Sequence, residues 1–125
     1  MTEKIYTENA PAAIGPYSQA IKVNSMVYTS GQIAIVPSSG NIEATDIQGQ
    51  TKQVMENLKN VLAASGTSFA QVVKTTCFLA DIADFGAFNE IYGQYITEKP
   101  ARSCVAVKDL PKGAMVEVEV IAVAD

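Results

Sequence analysis

At 125 residues, 48% hydrophobic and 18% charged, the chain is long enough for one domain whose core needs no staples, and too apolar for disorder. Its net charge is −4, and its eight lysines and single arginine form no basic stripe. That disfavours nucleic acid as a partner, because binding a polyanion needs clustered cations to displace counterions.

The composition has no histidine, which removes Ser-His-Asp and Cys-His nucleophilic machinery and histidine-held zinc or haem. Two cysteines, Cys77 and Cys104, are too few and too far apart for a Cys-x-x-Cys site, and their apolar strand surroundings favour two reduced thiols. The first residues, "MTEKIYTENAP", lack the basic-then-apolar pattern of a secretory signal, and no apolar run reaches the ~20 residues that span a bilayer. A cytoplasmic protein is expected.

In chain order, "YSQAIKV" (17–23) and "MVYTSGQIAIV" (26–36) read as strands rich in β-branched and aromatic residues, with Asn24 and Ser25 as a two-residue hairpin turn. "PSSGN" (37–41) reads as loop. From about Asp46 to Ser65 the period becomes helical: Ile47, Val54, Leu58, Val61 and Leu62 fall on one stripe, with Gln50, Lys52, Glu56, Lys59 and Asn60 over much of the rest. Thr45 or Asp46 suits the N-cap and Gly66 the C′ position. "VVKTTCFLA" (72–80) is again a strand. A second helix is expected from Asp84, taken as its N-cap, to Ile96, with Phe85, Phe88, Ile91, Tyr92, Tyr95 and Ile96 on its apolar face. "KPARSCVAVKD" (99–109) and "MVEVEVIAVA" (115–124), joined by "DLPKG", complete the chain as strands. The order describes one α+β domain over 1–125: a single mixed sheet with two helices on one face.

In the last strand Val116, Val118, Val120 and Ala122 share one face, and Glu117, Glu119, Ile121 and Val123 the other. The second set, mixing carboxylates with isoleucine, suits a subunit interface better than open water, so oligomerisation is expected.

Three features carry chemistry. Arg102 is the only arginine in the chain and stands at the mouth of an apolar strand. It is either a snorkelling surface cation or a carboxylate clamp, since a guanidinium fork matches a carboxylate bidentately and stays charged when partly desolvated. Glu117 and Glu119 are either a solvated strand face or a cleft carboxylate serving as general base. If the last two strands formed a hairpin with Lys108 near Met115, Arg102, Cys104 and Glu117 would share a sheet face, with Arg102 and Glu117 still ~13 Å apart at strand rise. One small-molecule site would then need a different packing of the sheet or a second subunit to complete it. "AAIGPYSQA" (12–20) and "TSGQI" (29–33) read as a turn and a strand bulge that also present the Tyr17 and Ser30 hydroxyls and an uncluttered amide near Gly31. No nucleotide-binding glycine pattern occurs.

In that order, "APAAIGPYSQA", "TSGQI", "FNEIYGQY", "KPARSCVAVKDLPKG" and "VEVEVIAV" closely resemble the RidA/YjgF family of reactive-intermediate deaminases, and the match covers essentially the whole chain. The resemblance implies a chorismate-mutase-like fold and a homotrimer with clefts between neighbouring subunits. It implies hydrolysis of 2-imino acids such as 2-iminobutanoate and 2-iminopropanoate, released by pyridoxal-phosphate enzymes, to 2-oxo acids and ammonia, with no metal or cofactor. Carried over motif by motif, Arg102 of "ARSC" matches the arginine that takes the substrate carboxylate, and Glu117, the first glutamate of "VEVEV", the residue that activates water. Tyr17 joins them in the chemistry, while Ser30, Gly31, Asn89 of "FNE" and Cys104 line the cleft. Glu119 is left structural. Only "TEK" separates the second helix from "PARS", shorter than in some relatives, which alters the rim of the cleft. Two other functions remain in view: a non-catalytic trimer that binds 2-oxo acids, and a ribonuclease or translation inhibitor, which the acidic balance and the absence of histidine disfavour.

Overall fold

In the computed structural model, which describes all of residues 1–125, the chain folds back where Asn24 (φ 50°) and Ser25 (φ 64°) join β2 (Ala20–Val23) to β3 (Met26–Thr29). Two consecutive positive φ angles give a turn whose twist matches that of the flanking strands, so the expected hairpin forms, with Val23 opposite Met26. Ahead of it, β1 (Glu3–Ile5) pairs antiparallel with β2; this strand was not expected. The long strand anticipated over 26–36 is interrupted. β3 ends at Thr29, and β4 (Ile35–Val36) instead pairs with β5 (Asn41–Ile42) in a small separate hairpin. Part of the expected 37–41 loop is therefore this hairpin's turn.

Helix α1 (Ile47–Ala64) begins where the Asp46 carboxylate accepts from the Gly49 amide at 2.7 Å. It ends in a paired C-terminal motif: the Gly66 amide donates to the Ala63 carbonyl and the Thr67 amide to that of Leu62, with Gly66 at φ 80°. Helix α2 (Phe85–Tyr95) starts differently from expectation. Asp84 makes no side-chain cap; a single helical turn precedes it, and Asp81 caps that turn by accepting from the Ala83 amide. After α2 the short link to β7 (Ala101–Ala106) passes through Lys99 at φ 53°.

The main sheet has six strands in the order β1-β2-β3-β8-β6-β7, where β6 is Val72–Leu79 and β8 is Val116–Val123. This corrects the expected hairpin between the last two strands. β7 lies parallel to β6 at the sheet edge, reached through α2, and β8 inserts between β3 and β6, antiparallel to both. A strand–helix–strand crossover returns the chain parallel to its first strand. That leaves the far side of β6 for β8, whose alternating valines are best buried between two neighbours.

Both helices cover one face. Val116, Val118, Val120 and Ala122 of β8 are buried there with Val54, Leu58, Val61 and Leu62 of α1 and Phe88 of α2. The expected alternation along β8 is observed: Glu117, Glu119, Ile121 and Val123 fall on the opposite face. Strand pairing gives them Phe78, Tyr28 and Met26 as company on that face. No helix is long and apolar enough to cross a membrane.

Candidate functional site

A break in strand pairing builds the first half of the site. Tyr28 pairs with Ile121, and the next pairing to β8 is Gln32 with Val118. Four steps on one side oppose three on the other, which is a β-bulge of one residue. The Val120 amide, which would otherwise lose its ladder partner, donates to the Thr29 hydroxyl oxygen at 3.0 Å. Ser30 is tied to β2's approach twice, its amide donating to the Gln19 carbonyl at 2.9 Å and its hydroxyl to the Ser18 carbonyl at 2.6 Å. With its proton committed there, the Ser30 oxygen faces the cleft only as an acceptor.

Gly31 lies at the crest of the bulge. Its amide donates to no backbone carbonyl, and a Cβ added there would overlap Glu117 Oε2 and come within 2.8 Å of the Glu117 carboxyl carbon. Glycine is needed for that close approach rather than for an unusual φ. Glu117 is half-buried, and its carboxyl is held above the usual carboxylate range, first by burial and second by the negative charge of Glu119.

Around it opens a cleft of about 530 Å³ that includes Ile14, Tyr17, Ser30, Gly31, Lys112 and Glu117. Its walls hang on buried amides that sequence reading passed over. Gln19, 2% exposed, accepts from the Thr7 amide and donates to the Thr7 and Pro11 carbonyls. Asn57 of α1 donates to the carbonyls of Ile33 and Ile35. Gln50, assigned above to the polar side of α1, is buried and accepts from the Met115 amide at 2.9 Å. Amides on a helix's apolar stripe were the available signal, since a buried amide persists only where its bonds are satisfied.

The second half lies between β7 and α2. Arg102 donates from Nη1 to Asn89 Oδ1 at 2.6 Å, and its guanidinium carbon sits 5.0 Å from the centre of the Tyr92 ring and 5.5 Å from that of Phe85. An amide oxygen and two ring faces hold the cation without neutralising it. Cys104 shares this face and stands in register with Cys77 across β6. Both thiols are free, as expected. Burial pushes the Cys77 thiol up to about 12 and raises that of Cys104, an effect the Arg102 charge opposes. Neither thiol is a poised nucleophile at neutral pH.

The seven expected site residues thus fall into two groups: Tyr17, Ser30, Gly31 and Glu117 in the cleft, and Arg102, Asn89 and Cys104 at the β7–α2 edge. Arg102 and Cys104 do not share a face with Glu117, contrary to the hairpin expectation. Arg102 pairs with Thr75 and Glu117 with Phe78 on β6; three steps apart on a strand point to opposite faces.

A family model described as endoribonuclease L-PSP matches residues 7–124. The 2-iminobutanoate/2-iminopropanoate deaminase of Salmonella typhimurium is 47% identical over 127 residues, covering 98% of each chain. The chain belongs to the RidA/YjgF family. Two crystal structures of family type superpose closely. An L-PSP-type protein of Entamoeba histolytica is 52% identical, with 98% of this chain and 99% of that one covered and a TM-score of 0.96. TdcF of E. coli, solved with bound serine, is 44% identical, with 98% and 99% covered and a TM-score of 0.93. The RidA/YjgF fold accounts for the sheet with its two helices on one face.

Proposed function

We propose that this RidA/YjgF chain hydrolyses small 2-imino acids to 2-oxo acids and ammonia, at clefts formed between the subunits of a homotrimer. The observation that carries the reading is a pair of complementary half-sites: an arginine held without a counter-anion, and a desolvated carboxylate beside an open glycine amide. The names of relatives point the same way, the Salmonella protein being a 2-iminobutanoate/2-iminopropanoate deaminase.

Geometry supports the assembly. Arg102 and Glu117 are separated by two strand spacings and three residue steps, roughly 14 Å between Cα atoms, and face opposite ways. A four-carbon acid cannot touch both within one subunit. The sheet face without helices, where Tyr28 and Val105 are exposed beside Ile121 and Phe78, offers apolar area for neighbours to cover. Arg102 of one subunit then completes the cleft of the next.

In that cleft the Arg102 fork takes the substrate carboxylate. Glu117 accepts a proton from water as the water oxygen adds to the carbon of the protonated imine (C=NH2+), whose π electrons pass to nitrogen. The Gly31 amide and the Tyr17 hydroxyl donate to the carbinolamine oxygen, and the Ser30 oxygen accepts from the nitrogen's hydrogens. Glu117 returns its proton to nitrogen. The C–N bond then breaks, ammonia leaves, and the hydroxyl oxygen forms the C=O bond as its own proton passes to solvent. An imine carbon is electrophilic enough to need no covalent nucleophile, in keeping with the unreactive state of Cys104. As part of the same reading, the chain acts in the cytoplasm, where its two free thiols stay reduced.

The test supplies 2-iminobutanoate generated in place by an amino acid oxidase and follows 2-oxobutanoate release above the buffer rate. Wild type accelerates release, and Arg102→Ala and Glu117→Ala do not. Equal rates for both variants and wild type would remove their roles. The description of the family model favours a second reading, cleavage of RNA. Lys112 is the only basic residue lining the cleft; RNA cut by nuclease-free protein, with no imine hydrolysis, would establish that reading instead.

A further inference from the structure

A half-buried arginine usually rests on a carboxylate; Arg102 does not. Its hydrogen-bond partner within the chain is the neutral oxygen of Asn89, and the faces of Phe85 and Tyr92 lie 5.5 and 5.0 Å from its guanidinium carbon. These distances fall within the range where a ring quadrupole attracts a cation. The two rings lie three and four residues to either side of Phe88 on α2, so the helix presents them along one stripe with Asn89 between.

Tyr92 is itself immobilised. Its hydroxyl is 2.8 Å from the hydroxyl oxygen of Thr75, its ring packs 5.3 Å from that of Phe88, and only 7% of it is exposed. Thr75 is fully buried on β6 and is the strand partner of Arg102. A closed loop of contacts therefore runs from the Arg102 backbone through Thr75 to Tyr92 and back to the Arg102 head group.

We infer that Tyr92, locked by Thr75 and assisted by Phe85, is a positioning residue for Arg102: it holds the guanidinium fork in place while leaving its charge free for a ligand carboxylate. A carboxylate in the same position would orient the arginine equally well but would compete with the ligand for the fork. Aromatic faces orient without that competition. The inference rests on the proposed function only in taking a carboxylate as the ligand; the placement of the arginine stands apart from it.

Arg102 being the only arginine in the chain, its Nε–H gives a single side-chain signal in a nitrogen-15 NMR spectrum. In wild type this proton is displaced by the ring currents of the two aromatics and exchanges slowly. Tyr92→Phe keeps the ring and retains most of the displacement, whereas Tyr92→Leu loses it and speeds exchange. Phe85→Leu, at a partly exposed position, produces a smaller loss and serves should Tyr92→Leu fold poorly. In imine hydrolysis, Tyr92→Leu raises KM about 5- to 10-fold with kcat little changed, the pattern of lost ligand binding. An unchanged Arg102 signal in the folded Tyr92→Leu and Phe85→Leu proteins overturns the positioning role. A changed signal in a protein whose wild type hydrolyses no imine sinks the proposed function and leaves the positioning role standing.

Discussion

Arg102 and Glu117 sit on the two strands that flank β6, and they leave the sheet by opposite faces. The guanidinium lies under α2 with Phe85 and Tyr92, while the carboxylate occupies the bulge cleft beside Gly31. Each half is well formed and each is chemically incomplete. In the proposed trimer, copies of the same chain supply the missing half to one another, and this has a quantitative consequence. Arg102→Ala and Glu117→Gln subunits, each inactive alone, should regain activity when denatured together in equal amounts and refolded. If each site draws its arginine from one subunit and its glutamate from a neighbour, as proposed, random mixing leaves about one quarter of sites intact. Recovery near a quarter of wild-type activity is expected; no recovery from mixed assemblies would place both residues in one subunit's site.

The arginine itself is held by geometry as much as by charge. Arg102→Lys keeps a cation but cannot make the paired N–H contacts to a carboxylate, nor stack its head between Phe85 and Tyr92. Its kcat/KM for a 2-imino acid should fall about 10- to 100-fold, with Arg102→Ala lower still. Steady-state kinetics with a series of imino acids checks this. A lysine variant within twofold of wild type would mean that a point charge suffices.

Much of this organisation was legible in the residues, and the part that was not has a clear physical cause. α1 could be placed because Asp46 and Gly66 mark its ends and the valine–leucine stripe between them repeats at helical period. β8 declared itself by strict alternation. β1 was silent, since three residues with one buried side chain, Ile5, hold no period to detect. The pairing of β7 was misread because neighbours in sequence are the natural first guess for neighbours in a sheet. Only the crossover through α2 puts β6 between them. That single error carried Arg102 and Cys104 onto the wrong face, whereas their assignment as site residues rests on the family motifs and not on strand pairing. The buried amides Gln19, Gln50 and Asn57 were missed because they bond to backbone far away in sequence.

Glu117 should be costly to stability as well as useful. Burial raises its carboxyl above the usual range, with Glu119 adding to the effect. A carboxyl raised on folding withdraws stability at pH above its folded pKa, and the penalty disappears once pH falls below its unfolded value, near 4.3. Glu117→Gln removes the charge, so at pH 7 it should melt about 1–3 °C higher than wild type while losing activity. At pH 3, where wild type is protonated too, the two should converge. Thermal melts across this range decide it. A Glu117→Gln protein less stable than wild type at pH 7 would show that the carboxylate is favourably paired in the assembled protein. The same raised pKa places the acid limb of the activity profile above the ordinary glutamate range, and Glu119→Gln should move that limb toward lower pH.

Gly31 separates the needs of the fold from those of the site. Its backbone does not lie in the left-handed region, so alanine meets no conformational barrier there. What a methyl group meets is the end of the Glu117 side chain, with the carboxyl carbon 2.8 Å away. A terminal carboxylate can swing aside at small cost, so Gly31→Ala should fold, with a loss of about 1 kcal/mol or less. The swing carries the carboxylate away from the water that the proposed mechanism has it activate, and covers the Gly31 amide. A misplacement of about 1 Å in a catalytic group is enough to slow a reaction on the order of 100-fold. Gly31→Ala should therefore show a near-normal melt and a kcat depressed 10- to 100-fold on this principle, with KM far less affected because Arg102 is untouched. If Gly31→Ala instead unfolds, the glycine serves the bulge. If it works at the wild-type rate, Glu117 does not need the position in which the bulge holds it.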